Sequence, residues 1–134
     1  MNTADLMDAV AGYVGCALWS SVDGNGRPLD QPGFHLPPEL RADLASDVHA
    51  FARAHPGLCR EALGRPGYTA RRLGHDLWLT RNRHGAGFFD REALADEHRQ
   101  HGCTKGLAER LTNAALDMGE RTLTATSGIV ELLA

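Results

Sequence analysis

The sequence predicts an α+β domain: a small antiparallel sheet of about four strands, built as two hairpins, with three or four helices packed mainly on one face. Two stretches, 75–90 and 122–133, place strand-forming residues on either side of a glycine-containing turn. Three other stretches repeat apolar residues at helical spacing. The order helix, helix, hairpin, helix, hairpin suits short antiparallel strands with helices layered against them. At 134 residues the chain makes one domain, 1–134, long enough to bury about two-thirds of its unfolded surface.

The elements follow in order. Thr3 or Asp5 caps a first helix running to about Ser20, with Leu6, Val10, Tyr13, Val14, Ala17 and Leu18 as its stripe. Gly12 and Gly15 each cost that helix about 1 kcal/mol against alanine, and let another element approach. Trp19 is expected to close the core at the helix end. Asp23-Gly24-Asn25-Gly26-Arg27-Pro28 is dense turn chemistry. It opens like a calcium loop, but Phe34 stands where the closing glutamate belongs, so it reads as a plain loop. Pro37-Pro38 starts the clearest helix, with Leu40, Leu44, Val48 and Phe51 on one face. Pro56 ends it, and residues 56 to 63 add a further turn or two. His75 to Asn82 reads as a strand, Arg83-His84-Gly85-Ala86 as the reversal, and Gly87 to Asp90 as a short second strand. Glu92 to Gln100 is expected to be helical. Thr104 caps a last helix striped by Leu107, Leu111, Ala114, Ala115 and Met118, with Gly119 as a left-handed C-cap. Thr122–Thr126 and Ile129–Leu133 close the chain as a hairpin around Ser127-Gly128.

Composition bounds the function. The chain is 43% hydrophobic and 23% charged, with a formal net charge of -3. That balance opposes bulk binding to nucleic-acid backbone, though not a local basic patch. No run approaches the roughly 18 apolar residues of a membrane span. The first residues show neither a basic n-region nor a cleavable apolar stretch, so a soluble cytoplasmic protein is expected. Cys16, Cys59 and Cys103 are odd in number and scattered, as free thiols in a reducing compartment would be.

The stretch from Gly74 to Arg91 concentrates the chemistry. Its candidate binding residues are His75, Asp76, Arg81, Asn82, Arg83, His84, Gly85 and Gly87. They read either as a hairpin with a polar tip or as a site in which side chains converge beside bare backbone. Gly85-Ala86-Gly87 lacks the third glycine and the following helix of a dinucleotide fingerprint. Arg60, Arg65, Arg71, Arg72, Arg81 and Arg83 make the middle of the chain locally basic. This is either a solvated arginine surface or a face for phosphates or an acidic partner.

The same run, with Gly74-His75-Asp76-Leu77-Trp78-Leu79-Thr80-Arg81-Asn82 leading into Arg83-His84-Gly85-Ala86-Gly87-Phe88-Phe89-Asp90, resembles the signature of a family of small tailed-phage and prophage proteins. That signature runs Gly-His-Asp-Phe-Trp-Leu-Thr-Arg-Asn-(Gly/Arg)-His-Gly-Ala-Gly-Phe-Trp-Asp. Tyr13–Ser21, Gly26–Asp30, Pro38–Ala54 and Leu111–Gly119 are similar to further parts of the family, so the resemblance covers most of the chain. Residues 92–105 look like an insertion, and Thr126-Ser127-Gly128 replaces the family's Asp-Asp-Gly. The resemblance implies a phage or mobile-element origin and a host-cytoplasm setting. It implies no reaction.

No catalytic motif stands out, and no cofactor is implied. A serine triad would have to recruit Ser20 or Ser21, with His75 or His84 and Asp76 or Asp90, without a nucleophile elbow. Neither Cys16 nor Cys103 sits in a nucleophile motif. His84 as a general base, with Arg81 or Arg83 as an anion clamp, is the form an enzyme would take. His98, His101 and Cys103, with Glu97, have zinc-type donors at poor spacing, so no metal site is assigned. The leading expectation is a small protein that binds a host protein or defence complex, as an anti-CRISPR or anti-restriction inhibitor does. The alternative is a nucleic-acid or nucleotide-binding module using residues 81–84, with Trp78, Phe88 or Phe89 for stacking.

Overall fold

The structure, a computed structural model, describes residues 1–96 and 106–133. It is α+β. Among the described residues five helices, α1 (Thr3–Ser20), α2 (Pro38–Ala54), α3 (Pro56–Leu63), α4 (Ala70–Arg81) and α5 (Leu107–Leu116), precede one antiparallel pair, β1 (Leu123–Thr126) and β2 (Ile129–Leu132). Short 3-10 turns lie at Phe88–Asp90 and Glu92–Leu94. Among the described residues, no helix is long and apolar enough to cross a membrane.

The first expected hairpin does not form. His75 to Asn82 belongs to α4 and its cap, and Phe88–Asp90 is a 3-10 turn, so the sheet has two strands in place of four. The alternation of Leu77, Trp78 and Leu79 imitates a strand that is apolar on both faces. Ala70, Leu73, Gly74, Leu77, Trp78 and Arg81 instead form an unbroken helical stripe, and all six are buried. Asp76, Leu79 and Thr80 are buried too, so α4 is enclosed nearly all round. Its start is set by Thr69, whose hydroxyl accepts from the Arg72 N–H at 3.1 Å.

Helix α4 is held against α1 at a glycine crossing. A methyl group on Gly12 would run into the carbonyl of Arg71, and one on Gly74 would run into the carbonyl of Ala9. Backbone therefore touches backbone from both sides. Beside the crossing, the Tyr13 and Trp78 rings meet edge to face, with centroids 5.3 Å apart. The Trp78 indole N–H donates to Ser20 Oγ at 3.0 Å. Leu44, Val48 and Phe51 of α2 face the same core, as their spacing predicts.

The closing hairpin forms as expected. Ser127 and Gly128 both take positive φ, 51° and 79°, the geometry of a two-residue turn matched to strand twist. His35 adds a bridge along β2, donating its N–H to the Gly128 carbonyl at 2.7 Å. Gly119 takes the left-handed conformation beyond α5.

Three further expectations are corrected. Trp19 is 59% exposed, not a core residue, and lies against the half-buried His75 of α4. Glu92 begins a single 3-10 turn that ends at Leu94, not a helix. Asn2, not Thr3 or Asp5, caps α1, its Oδ1 accepting from the Asp5 N–H. The expected Thr104 cap and the Glu97, His98, His101 and Cys103 group lie outside the described residues. Asp96 does α5's capping from a distance, accepting the Leu107 N–H at 2.8 Å. That bond, followed by the Arg65 contact, holds the Asp96 carboxyl below its ordinary range.

Candidate functional site

The eight candidate residues divide into a buried set and an exposed set. Asp76 is 0% exposed. It takes three hydrogen bonds from Arg91, Nη2 to Oδ1 at 2.6 Å and Nε to both oxygens at 2.9–3.0 Å, and one from Tyr68 Oη at 2.8 Å. Desolvation, followed by the charge of Asp76, raises the Tyr68 phenol far above its ordinary range, so it stays a donor. This cluster ties the segment after α4 back onto the middle of that helix.

Arg81 is 4% exposed and serves as a clasp. Its Nε donates to the Gly119 carbonyl at 2.8 Å and its Nη2 to the Met118 carbonyl at 3.0 Å, covering the C-terminal end of α5. Its Nη1 reaches Tyr13 Oη at 3.0 Å and Asp47 Oδ2 at 3.2 Å. Tyr13 Oη also donates to Asp47, and Arg121 binds both oxygens of Asp47 and reaches Asp43. One guanidinium thereby joins α1, α2, α4 and the turn after α5. Asn82 works alongside it, its Nδ2 donating to the Trp78 carbonyl and its Oδ1 accepting from the Arg121 N–H at 2.8 Å.

The exposed set begins where α4 stops. Arg83 takes φ 55°, its N–H bonds the Thr80 carbonyl, and the His84 N–H bonds the Leu79 carbonyl, both at 3.1 Å. These two bonds make a Schellman ending with arginine at the position where glycine is usual. Gly85 stands in the open with φ 75°. Gly87 is buried, with φ 143° and a Cβ direction blocked by Thr80 Oγ1, so glycine is required there. The same hydroxyl accepts the Phe88 N–H at 3.2 Å, and Asp90 Oδ2 accepts the Gly87 N–H at 2.8 Å. His75 is half-buried and stacks on Trp19, with ring centroids 6.0 Å apart. Desolvation holds its pKa below the usual 6.5, opposed by the charge of Asp76.

Arg83 and His84 form a ridge between two cavities. One, about 320 Å³, has Thr80, Arg83, Gly85–Phe89, Asp90, Thr112 and Leu116 around it. The other, about 220 Å³, gathers Ser20, Ser21, Asn82, His84, Glu120 and Arg121. Phe89, beside the first, is 64% exposed.

The geometry gives little to catalysis. The second cavity brings Ser20, Ser21, His84 and Glu120 together, yet Ser20 Oγ is committed to the Cys16 carbonyl and the Trp78 indole. The contact of Glu120 is with Arg83, at 3.6 Å. Arg81 cannot clamp an anion for His84, since its donors are spent inside the fold. Burial pushes the Cys16 thiol up to about 12 and the Cys59 thiol up to about 11, so neither is a nucleophile near neutral pH. The basic middle also disperses. Arg65 pairs with Asp96 at 2.8 Å, Arg81 with Asp47, and Arg91 with Asp76. Trp78 and Phe88 are core, 1% and 0% exposed, and cannot stack on bases. Trp19 is the exposed indole.

No family model, no curated protein and no solved structure matches the chain.

Proposed function

We propose that this protein acts by binding a host macromolecule through the ridge of Arg83 and His84, with Gly85, Ala86 and Phe89 beside it. The observation that carries the reading is the division of the signature stretch. Its strongest polar groups, Asp76, Arg81 and Asn82, are used to build the fold, while the next residues are held rigidly in solvent. A loop pinned by Arg91 to Asp76, by Phe88 to Thr80 and by His84 to Leu79 loses little conformational entropy on binding. An exposed phenylalanine next to a 320 Å³ hollow supplies an anchor and a socket. The resemblance to phage proteins makes a host protein or defence complex the partner class, and counter-defence inhibition, of CRISPR or restriction systems, the form of action.

The test compares tagged wild type with an Arg83→Ala/His84→Ala/Phe89→Ala variant, both confirmed as folded by melting temperature, in pull-downs from host lysate and in assays of phage interference. One host protein retained by wild type and lost by the variant, with interference relieved only by wild type, supports the reading. Equal retention by both proteins, or no retention and no relief, overturns it.

A further inference from the structure

We propose that Trp19, His75, Arg71 and Arg72 form a second binding patch, for single-stranded nucleic acid, with a base stacked on the open face of Trp19 and phosphate oxygens on the two arginines. The patch shares no residue with the ridge and stands whether or not the ridge binds a protein.

Trp19 is 59% exposed, whereas the other indole is core. One of its faces is covered by His75 at an interplanar angle of 30°, leaving the other free. His75 follows Arg71 by four residues and Arg72 by three within α4, so all three share one helical face. Both arginines are exposed, and among the described residues neither has an ion-pair partner. Among the described residues Arg41, Arg53 and Arg60 have no ion pair either, so what singles out Arg71 and Arg72 is the helical face they share with His75 and, through it, the exposed Trp19. They also stand in the first turn of α4, which carries no acidic residue. Cations there oppose the helix dipole, and a bound anion offsets that repulsion. Gly15, one turn before Trp19, has nothing within 4 Å of its Cβ direction. Unlike Gly12, it is not required by packing, and it leaves the flank of the indole clear. A flat π-face backed by His75, with two exposed arginines three and four residues before that histidine on the same helix, matches a base and its phosphates. An acidic peptide would use the arginines and leave the indole in water.

The test is a titration of the protein with a dT 12-mer and an rU 12-mer, followed by tryptophan emission, with a duplex of equal length and inorganic phosphate as comparisons. The expected result is saturable quenching by the single strands, weaker binding of the duplex, and a log–log salt slope of about -1.4 for two phosphates. Arg71→Ala/Arg72→Ala should lower affinity at least tenfold and bring the slope towards zero, and Trp19→Ala should abolish stacking. Preference between dT and rU separates DNA from RNA. Absence of quenching, equal affinity for the duplex, or unchanged affinity and slope in the arginine variant overturns the proposal. Both arginine side chains are in solvent, so that variant decides the matter even if Trp19→Ala folds poorly.

Discussion

Arg91 and Asp76 are joined by a two-sided grip, Nε to both carboxylate oxygens and Nη2 to Oδ1 at 2.6 Å, with the carboxylate wholly enclosed and the guanidinium a quarter exposed. Asp76 lies on α4 and Arg91 follows the loop that carries the ridge, so this pair is one of the pins that hold the loop to the helix. Removing one partner of such a pair leaves a buried charge uncompensated. Arg91→Met should cost about 3 kcal/mol in urea unfolding, at the low end for buried pairs because Arg91 is partly solvated. Asp76→Leu combined with Arg91→Met should recover much of that loss. A double variant as unstable as Arg91→Met alone would mean that the pair contributes more than the removal of an orphaned charge.

The three glycines of α1 and α4 should respond with opposite signs. Gly12→Ala and Gly74→Ala each press a methyl group into a backbone carbonyl, so each should cost at least about 2 kcal/mol through forced separation of the helices. Gly15→Ala meets nothing and should stabilise by about 0.5–1 kcal/mol through helix propensity. Thermal melts of the three variants check both signs at once.

Arg83 sits at φ 55° in a position that glycine fills without strain. Arg83→Gly should therefore stabilise the fold by about 1 kcal/mol, seen as a higher urea midpoint at constant m-value, while weakening any partner that uses the arginine.

His75 gives a pH dependence. Its folded pKa lies below the ordinary 6.5 because of desolvation, partly opposed by Asp76 and reinforced by Arg91 and Arg72. As pH falls below 6.5, the unfolded chain takes up the proton first, so it binds more protons than the native state and stability drops. The contribution is complete above 6.5 and is lost as pH falls towards the folded value. The urea midpoint should decline between pH 7.5 and 5.5 in wild type, and decline less in His75→Phe. Trp19 emission of the folded protein should change at lower pH than that of an unhindered imidazole, where its stacking partner gains charge.

Local and periodic features of the sequence were legible. The 4-4-3 spacing from Leu40 to Phe51, the proline start of α2, the left-handed Gly119 and the Ser127-Gly128 turn all formed where residue chemistry placed them. The stretch 74–91 imitates a hairpin because the stripe of α4 is completed by Gly74 and Arg81, neither of which is an apolar residue. Gly74 is buried because α1 passes against it, and Arg81 because four acceptors from other elements await its guanidinium. Both facts are tertiary, and neither leaves a periodic mark. The site residues were picked as a group, yet the structure parts them, since a helix turns Asp76 and Arg81 inwards while its Schellman ending turns Arg83 and His84 outwards.

The glycine crossing of α1 and α4 also bears on how the chain is made. Helix α1 leaves the ribosome before α4, so the surface it must meet is not complete until residues 70 to 81 have followed. Until then its buried face, from Ala9 to Ala17, has no backbone to lie against, and α2 and α3 cannot substitute for a partner that offers its own glycine. The two halves of the crossing mature together or not at all. Fragments separated at the exposed Gly64–Gly67 turn should each remain unfolded alone and regain the fold when mixed.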